Sequence, residues 1–319
     1  MALTARLSSS GPIGDEPEDF FASSLGVIFP DDVTNQHGDE RHGLVYNSPH
    51  LPKPLQISLA DPKKDEDRHL FSHFLWNSSL QLAELIEAGT LGLADDRSDR
   101  ENGGAKVVVP PISHFDITGH STLELGAGTA LPSLMGALLG ARRVLVTDYP
   151  AAPVMETLQQ NIISNAQPSF SPSGRIVAAA VDPDDAGPSG IQVQGHGWGE
   201  LDTPLARANK RAFDRIFVAD CLWMPWQHEN LRASVAWFLA EGSASRAWVV
   251  GGFHTGREKM RGFFDAEALI AHGLEVEYIW ERDCDGVDRE WAFDRGVEDV
   301  TVRKRWLAVA VLRRVAEEG

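Results

Sequence analysis

The stretch Thr122 to Ala141, TLELGAGTALPSLMGALLGA, constrains this chain more than any other. Thr122 to Leu125 reads as a strand, Gly126 to Gly128 as a glycine-hinged turn, and the residues from Leu131 and Pro132 onward as a helix. Only glycine lets a backbone approach a ligand closely at such a turn, and proline near a helix start is favoured because its missing N–H would go unsatisfied there anyway. Strand, hinge and helix in that order predict a nucleotide cradle; the alternative is that the glycines serve packing alone.

Glu124 and an absent third glycine choose between nucleotides. A dinucleotide fingerprint carries a third glycine three residues after the second, and Leu131 holds that position. A carboxylate two residues before Gly126 would repel a pyrophosphate, whereas it suits the cationic amino group of a methionine moiety. The turn therefore predicts S-adenosyl-L-methionine as cofactor in place of NAD. Arg143 to Thr147, RVLVT, reads as a buried parallel strand ending on Asp148, twenty residues after Gly128. An acid at that edge of the crevice is placed to accept hydrogen bonds from both ribose hydroxyls. An isolated Asp there would read as a turn or a helix cap.

A length of 319 residues suits one large α/β domain with embellishments, and the 43% apolar fraction supports a real core. A net charge of −17 and a pI near 5.0 argue against a nucleic-acid track, which needs clustered Lys and Arg. An acidic surface would instead steer in a basic protein partner. Cys221 and Cys284 are the only cysteines, too few for a disulfide framework or a zinc site. No metal is expected, and a reducing compartment is: the cytoplasm, with the nucleus as an additional location. Thr122 to Ala141 is about as long as a membrane helix, but Glu124, the glycine turn and the adjacent Arg142 and Arg143 favour a soluble reading with no membrane partner.

Residues 1–66 read as an N-terminal extension rich in Pro, Asp and Ser, with β-like pieces at Leu25 to Phe29, Leu44 to Tyr46 and Leu55 to Leu59. One of them is expected to pair as an edge hairpin. Residues 67–319 read as the main domain, opening with a helix from about Asp67 to Ala88 in which Trp76 is either a core aromatic or a site residue. Asp95 to Gly104 is a polar insertion. After Asp148 come a helix to Asn165, a loop from Gln167 to Gly190, and a third strand at either Arg175 to Val181 or Ile191 to Gly195.

The run HGWGE then presents Trp198 between glycines, either to an adenine face or as a plain surface Trp. Phe213 to Ala219 is the fourth strand and delivers Asp220 to the carboxyl edge, where open α/β sheets bind ligands. Trp223, Trp226 and His228 crowd the following loop. A fifth strand, Ala247 to Gly252, brings His254 to the same edge, and a helix from Glu258 to about His272 follows. Leu274 to Arg282 and Arg305 to Arg314 close the chain as antiparallel strands across a charged connector, because no helical pattern lies between them.

With these motifs in hand, the chain resembles the lysine-methylating branch of the seven-strand methyltransferases, lysine methyltransferase family 16. That branch includes the fungal elongation-factor methyltransferases also called nicotinamide N-methyltransferase-like. The resemblance runs from about His69 to Arg314 and rests on LWNSS, LELGAGTALPS, VTDYP, GWG and ADCLW. It implies an α/β, Rossmann-like seven-strand sheet, mostly parallel with an antiparallel C-terminal strand and helices on both faces. It implies a cofactor pocket lined by Trp76, Glu124, Gly126, Ala127, Gly128, Thr129, Asp148, Tyr149, Trp198 and Ala219. It also implies a substrate site shaped by an Asp-x-x-Tyr motif, which here reads Asp220 to Trp223; the aromatic lacks the phenol and could still hold a cation by its face.

A sulfonium methyl is already activated, so such a protein mainly aligns donor with acceptor and excludes water. Asp220 and Trp223 are expected to position the acceptor nitrogen. His254 either lines the site and helps remove a proton or is a structural histidine. Three functions remain open: N-methylation of a protein lysine or N-terminal amine, with a basic or translation-related protein as the expected partner; N-methylation of a small amine such as nicotinamide or a secondary metabolite; and a non-catalytic cofactor-binding scaffold.

Overall fold

The computed structural model describes residues 2–10, 35–38, 43–60, 74–93, 107–176 and 190–316. The described N-terminal strands are β1 (Leu7–Ser10), β2 (Gln36–His37), β3 (Gly43–Tyr46) and β4 (Leu55–Ile57), with a fifth just before the first long helix. Leu44 and Tyr46 on β3, like Leu55 and Ile57 on β4, recur at the strand period and are all buried, which turns one face of the small antiparallel sheet β1-β3-β4 into the core. The expected piece Leu25 to Phe29 lies outside the described residues.

Asn161 and Asn165 dock β4. Each takes one backbone N–H of Gln56 or Ser58 on its Oδ1 and returns its amide to the same residue's carbonyl, at 2.8 to 2.9 Å. The two side chains thus satisfy an edge that would otherwise be buried unpaired. Arg6 lies against Glu84 at 2.8 Å and Glu87 at 2.7 Å, anchoring the start of the chain to the first helix.

That helix starts later than its sequence pattern predicts. β5 (Leu75–Trp76) is extended and pairs with β2, so α1 spans Asn77–Leu91, with Trp76 at its N-cap and left-handed Gly92 at its C-cap. Residues 67–73 of the expected helix lie outside the described residues.

The main sheet follows: β6 (Ser121–Leu125), β7 (Arg143–Asp148), β8 (Gly190–Gly195), β9 (Arg215–Ala219), β10 (Arg246–Gly252), β11 (Leu274–Asp283), β12 (Asp288–Glu290) and β13 (Trp306–Arg314). Its order is β12-β11-β13-β10-β9-β6-β7-β8. β6 to β10 are mutually parallel, while β13 runs antiparallel to both β10 and β11. This is the expected α/β plan with one addition. The connector before β13 supplies β12 and a short helix, which the charged sequence did not announce. Glu281 on β11, fully buried, pins that connector through Arg289 and Arg295 and also grips Arg257.

Parallel strands buried on both faces read as continuous apolar runs, as STLEL and RIFVA do. Successive residues face opposite layers. Val144, Val146, Phe217 and Trp248 meet α1, α2 (Leu131–Leu138) and α3 (Ala152–Asn165), together with the N-terminal strands. Leu123, Leu125, Leu145 and Ile216 meet α5 (His228–Phe238), which follows the short α4 (Pro204–Ala208). The expected last helix is broken into α6 (Arg257–Arg261), a tight turn at Gly262, and α7 (Ala266–Ala271) capped by Asp265. Among the described residues no helix is long and apolar enough to cross a membrane.

Candidate active site

In an open α/β sheet the crevice forms at the carboxyl ends of the strands, where the connections diverge to opposite faces. Here that point lies between β6 and β9, and a cavity of about 540 Å³ occupies it. The turn after β6 forms its floor. Gly126, Gly128 and Ala130 have φ of 69°, 55° and 62°, all left-handed, which turns the backbone sharply before α2 begins. A Cβ on Gly126 would lie 2.7 Å from Cys221 Sγ and 2.9 Å from the Trp198 ring. Gly128, on the cavity wall, has nothing within 4 Å of that position.

Asp148 ends β7 and holds the turn: its Oδ2 accepts from Gly128 N–H and its Oδ1 from Tyr149 N–H, each at 2.7 Å. Burial nevertheless pushes its carboxyl up to about 6, against those two bonds. Beyond β8, His196 to Glu200 form the next wall, with the Trp198 ring against Gly126.

Asp220 follows β9 with φ 60°, an uncommon conformation for a side-chain-bearing residue. Its Oδ1 accepts from Ser78 Oγ and from Gly252 N–H, both at 3.1 Å. Its Oδ2 takes no hydrogen bond within the described residues and lies 3.9 Å from His254 Nδ1. Trp76 joins the wall from the other side and stacks on His254, centroids 4.7 Å apart. At the mouth, Trp223 meets Trp226 edge-on, and Trp226 and Tyr149 are 70% and 53% exposed, so both offer rings to an incoming molecule.

Of the residues expected at this site, the structure brings Trp76, Gly126 to Thr129, Asp148, Tyr149, Trp198, Ala219, Asp220 and Trp223 to one cavity. Glu124 and His254 are not on its wall. Leu123 and Leu125 face the α5 layer, so alternation turns Glu124 the other way, under α2, where its Oε2 accepts from Ser133 N–H at 3.0 Å. Its Oε1 has no partner among the described residues, and full burial pushes the carboxyl up to about 8. It braces the cradle from behind. His254 sits behind Trp76, in the loop pinned by Arg303 Nε to the Phe253 carbonyl. Sequence reasoning passed over Phe74, His196, Gln227 and Asn230 on the wall and Ser78 behind it. His196 and Ser78 lie within the motifs HGWGE and LWNSS, where the signal that marks them is only their place beside the aromatic residues.

The donor set fits S-adenosylmethionine. Asp148, Glu200 and Asp220 line the cavity, and among its described lining residues there is no Lys or Arg. A pyrophosphate would go unneutralised there, whereas a sulfonium and an ammonium are attracted. The open space above Gly128 leaves the turn free for close approach of a ligand.

No family model matches the chain. It is 31% identical over 277 residues to the protein N-terminal and lysine N-methyltransferase EFM7 of Gibberella zeae, covering 81% of this chain and 86% of that one. The EFM7 protein of Eremothecium gossypii is 29% identical over 215 residues, 66% of each chain. A solved putative methyltransferase from Streptococcus mutans superposes with a TM-score of 0.48 at 12% identity, over 92% of this chain and 65% of that one. The glycine turn, the acids at the strand ends and the similarity to the Gibberella zeae protein along most of both sequences agree: this chain belongs to the EFM7 methyltransferase family.

Proposed function

We propose that this methyltransferase transfers a methyl group from S-adenosylmethionine to an amine of a protein, a lysine or an N-terminal amine. The observation that carries the reading is a cavity walled by three carboxylates and, among its described residues, no cation, with an exposed aromatic rim at its mouth. The names of the relatives, which describe N-terminal and lysine methylation of proteins, support the acceptor class. The cavity is of the size that one drug-sized ligand fills, which leaves the acceptor to reach in past Trp223 and Trp226.

When bound, the cofactor supplies an activated methyl on a cationic sulfur. The chain supplies the rest. Gly128 clears room for close approach, and Asp148 offers acceptor oxygens to the ribose hydroxyls. Asp220, fixed through Oδ1 by Ser78 and Gly252, keeps Oδ2 for the acceptor amine. Trp223 and Trp226 exclude water and guide the amine in as a cation against their ring faces, and its nitrogen releases a proton before its lone pair can accept the methyl.

Incubation with methyl-labelled cofactor and a cytosolic lysate, followed by separation by size, tests the reading. Label in the protein fraction supports it, and mass spectrometry then locates the methylated amine. Label confined to the low-mass fraction would replace it with small-amine methylation.

A further inference from the structure

Residues 35–38 belong to the N-terminal extension, yet they reach the wall of the active site. Gln36 and His37 pair with Trp76 and Leu75 as an antiparallel ladder, and Trp76 lines the cavity immediately before α1 begins. His37 is half-buried, and its Nε2 lies 2.6 Å from Asn77 Oδ1. Asn77 is 1% exposed, with its Nδ2 directed at Cys284 Sγ, 3.5 Å away.

The start of α1 explains why it needs such a clamp. The first backbone N–H groups of a helix have no partner inside it, and a Ser, Thr, Asp or Asn at the N-cap ordinarily supplies the missing oxygen. Trp76 holds that position, and its side chain makes no capping bond. The Asn35 carbonyl accepts from Asn77 N–H at 3.0 Å instead, and His37 holds the Asn77 side chain from the same segment. A strand 40 residues away in the chain thus does the work of a cap.

What the first turn of α1 carries ties this clamp to the chemistry. Trp76 stacks on His254 with centroids 4.7 Å apart, and Ser78, next to Asn77, donates to Asp220 Oδ1 at 3.1 Å. A loosened turn would let Trp76 and Ser78 shift together, and a misplacement of about 1 Å at reacting groups costs about 100-fold in rate.

We infer that His37 is a positioning residue for methyl transfer: through Asn77 it fixes the first turn of α1, and with it Trp76 and the Ser78 bond to Asp220. The inference rests on the role proposed above for Asp220. The test compares His37→Ala with His37→Gln in the full chain. Glutamine carries both a donor and an acceptor at about the reach of Nε2, so it restores the bond to Asn77 whichever way that amide faces, and alanine cannot. At saturating methyl-labelled cofactor, the initial rate of protein labelling in lysate should fall about tenfold in His37→Ala and return to within about twofold of wild type in His37→Gln. In a Ser78→Ala background His37→Ala should cost about threefold or less, because the bond it protects is already gone.

Hydrogen exchange supplies a readout that needs no acceptor. Amides of Leu75 to Ser79 should exchange about tenfold faster in His37→Ala than in wild type or His37→Gln, with the strands β6 to β10 unchanged. An unchanged labelling rate in His37→Ala would overturn the inference, as would a tenfold loss persisting in His37→Gln or in the Ser78→Ala background. So would unchanged exchange at Leu75 to Ser79, or faster exchange spread over the whole sheet, the mark of a merely structural residue. Absence of protein labelling by the wild type would be a different result: it removes the protein-acceptor reading, and the exchange measurement then decides whether His37 holds the turn.

Discussion

Gly128 donates its backbone N–H to Asp148 Oδ2 at 2.7 Å, so the turn after β6 and the end of β7 form one rigid seat. The same carboxylate that shapes the turn is the one we propose for the ribose hydroxyls. Two consequences meet in one group. Its desolvation lifts the pKa to about 6, and its ionised form is the one with acceptor capacity to spare.

Asp148→Asn is close in size but exchanges an acceptor oxygen for a donor amide, which in either orientation meets the Gly128 or the Tyr149 N–H and so loosens the turn as well. We expect S-adenosylhomocysteine affinity to fall by about 10- to 100-fold in calorimetry, the scale of one or two lost charged hydrogen bonds. In the wild type the affinity should decline as pH drops through about 6, because protonation removes an acceptor. The variant should lack that decline, and an affinity equal to the wild type would refute the ribose role.

Glu124 makes a prediction about stability. Its carboxyl is raised from 4.5 to about 8, so the folded state holds the proton more tightly than the unfolded chain. Its stabilising share is therefore complete below the ordinary carboxylate value and is lost as pH rises through about 8. Glu124→Gln keeps an acceptor for Ser133 N–H and cannot ionise. Its ligand-free Tm should match the wild type near pH 5 and exceed it by roughly 5 °C at pH 9. Equal melting curves at pH 9 would show that the buried carboxyl carries no such cost.

Asp220 combines a left-handed backbone, φ 60°, with the oxygen assigned to the acceptor amine. Asparagine tolerates that backbone, whereas alanine pays about 1 kcal/mol for it. Asp220→Asn and Asp220→Ala should both lose turnover, by at least about 100-fold, but only the alanine variant should melt early. Ser78→Ala removes one of two bonds to Oδ1 and should lower kcat by only about 3- to 10-fold. Near-normal turnover in Asp220→Asn would end the positioning role.

The two hinge glycines should fail differently. Gly126→Ala drives a methyl to 2.7 Å from Cys221 Sγ and 2.9 Å from the Trp198 ring, an overpacking worth about 1 to 3 kcal/mol that thermal unfolding will register. Gly128→Ala meets no protein atom within 4 Å, so beyond about 1 kcal/mol of backbone strain its main effect should appear in ligand binding. Equal effects of both on stability and on binding would count against the cradle geometry.

Much of the site was legible because its parts are local. A glycine pair directly after a buried strand, and an acid where the next strand stops, carry their meaning within a few residues, and Gly126, Gly128, Asp148 and Asp220 all reach the cavity. The helix before them was harder. Leu75 and Trp76 fit a helical pattern equally well, and only pairing with Gln36 and His37 draws them out as a strand. Glu124 shows the same limit from inside a motif: proximity to the turn suggested contact with ligand, while strand alternation between Leu123 and Leu125 sent it to the opposite layer.

From the sequence alone came the parallel strands, their ligand class and the acids at their ends, because apolar runs and glycine hinges act between residues near one another in the chain. The tertiary structure decided which side chains face the cavity and what holds them. Ser78 reaches Asp220 across 142 residues, and His254 is set behind Trp76 by stacking. Such contacts exist only once the sheet has brought distant segments to a common edge, and no local pattern encodes the direction a side chain takes there.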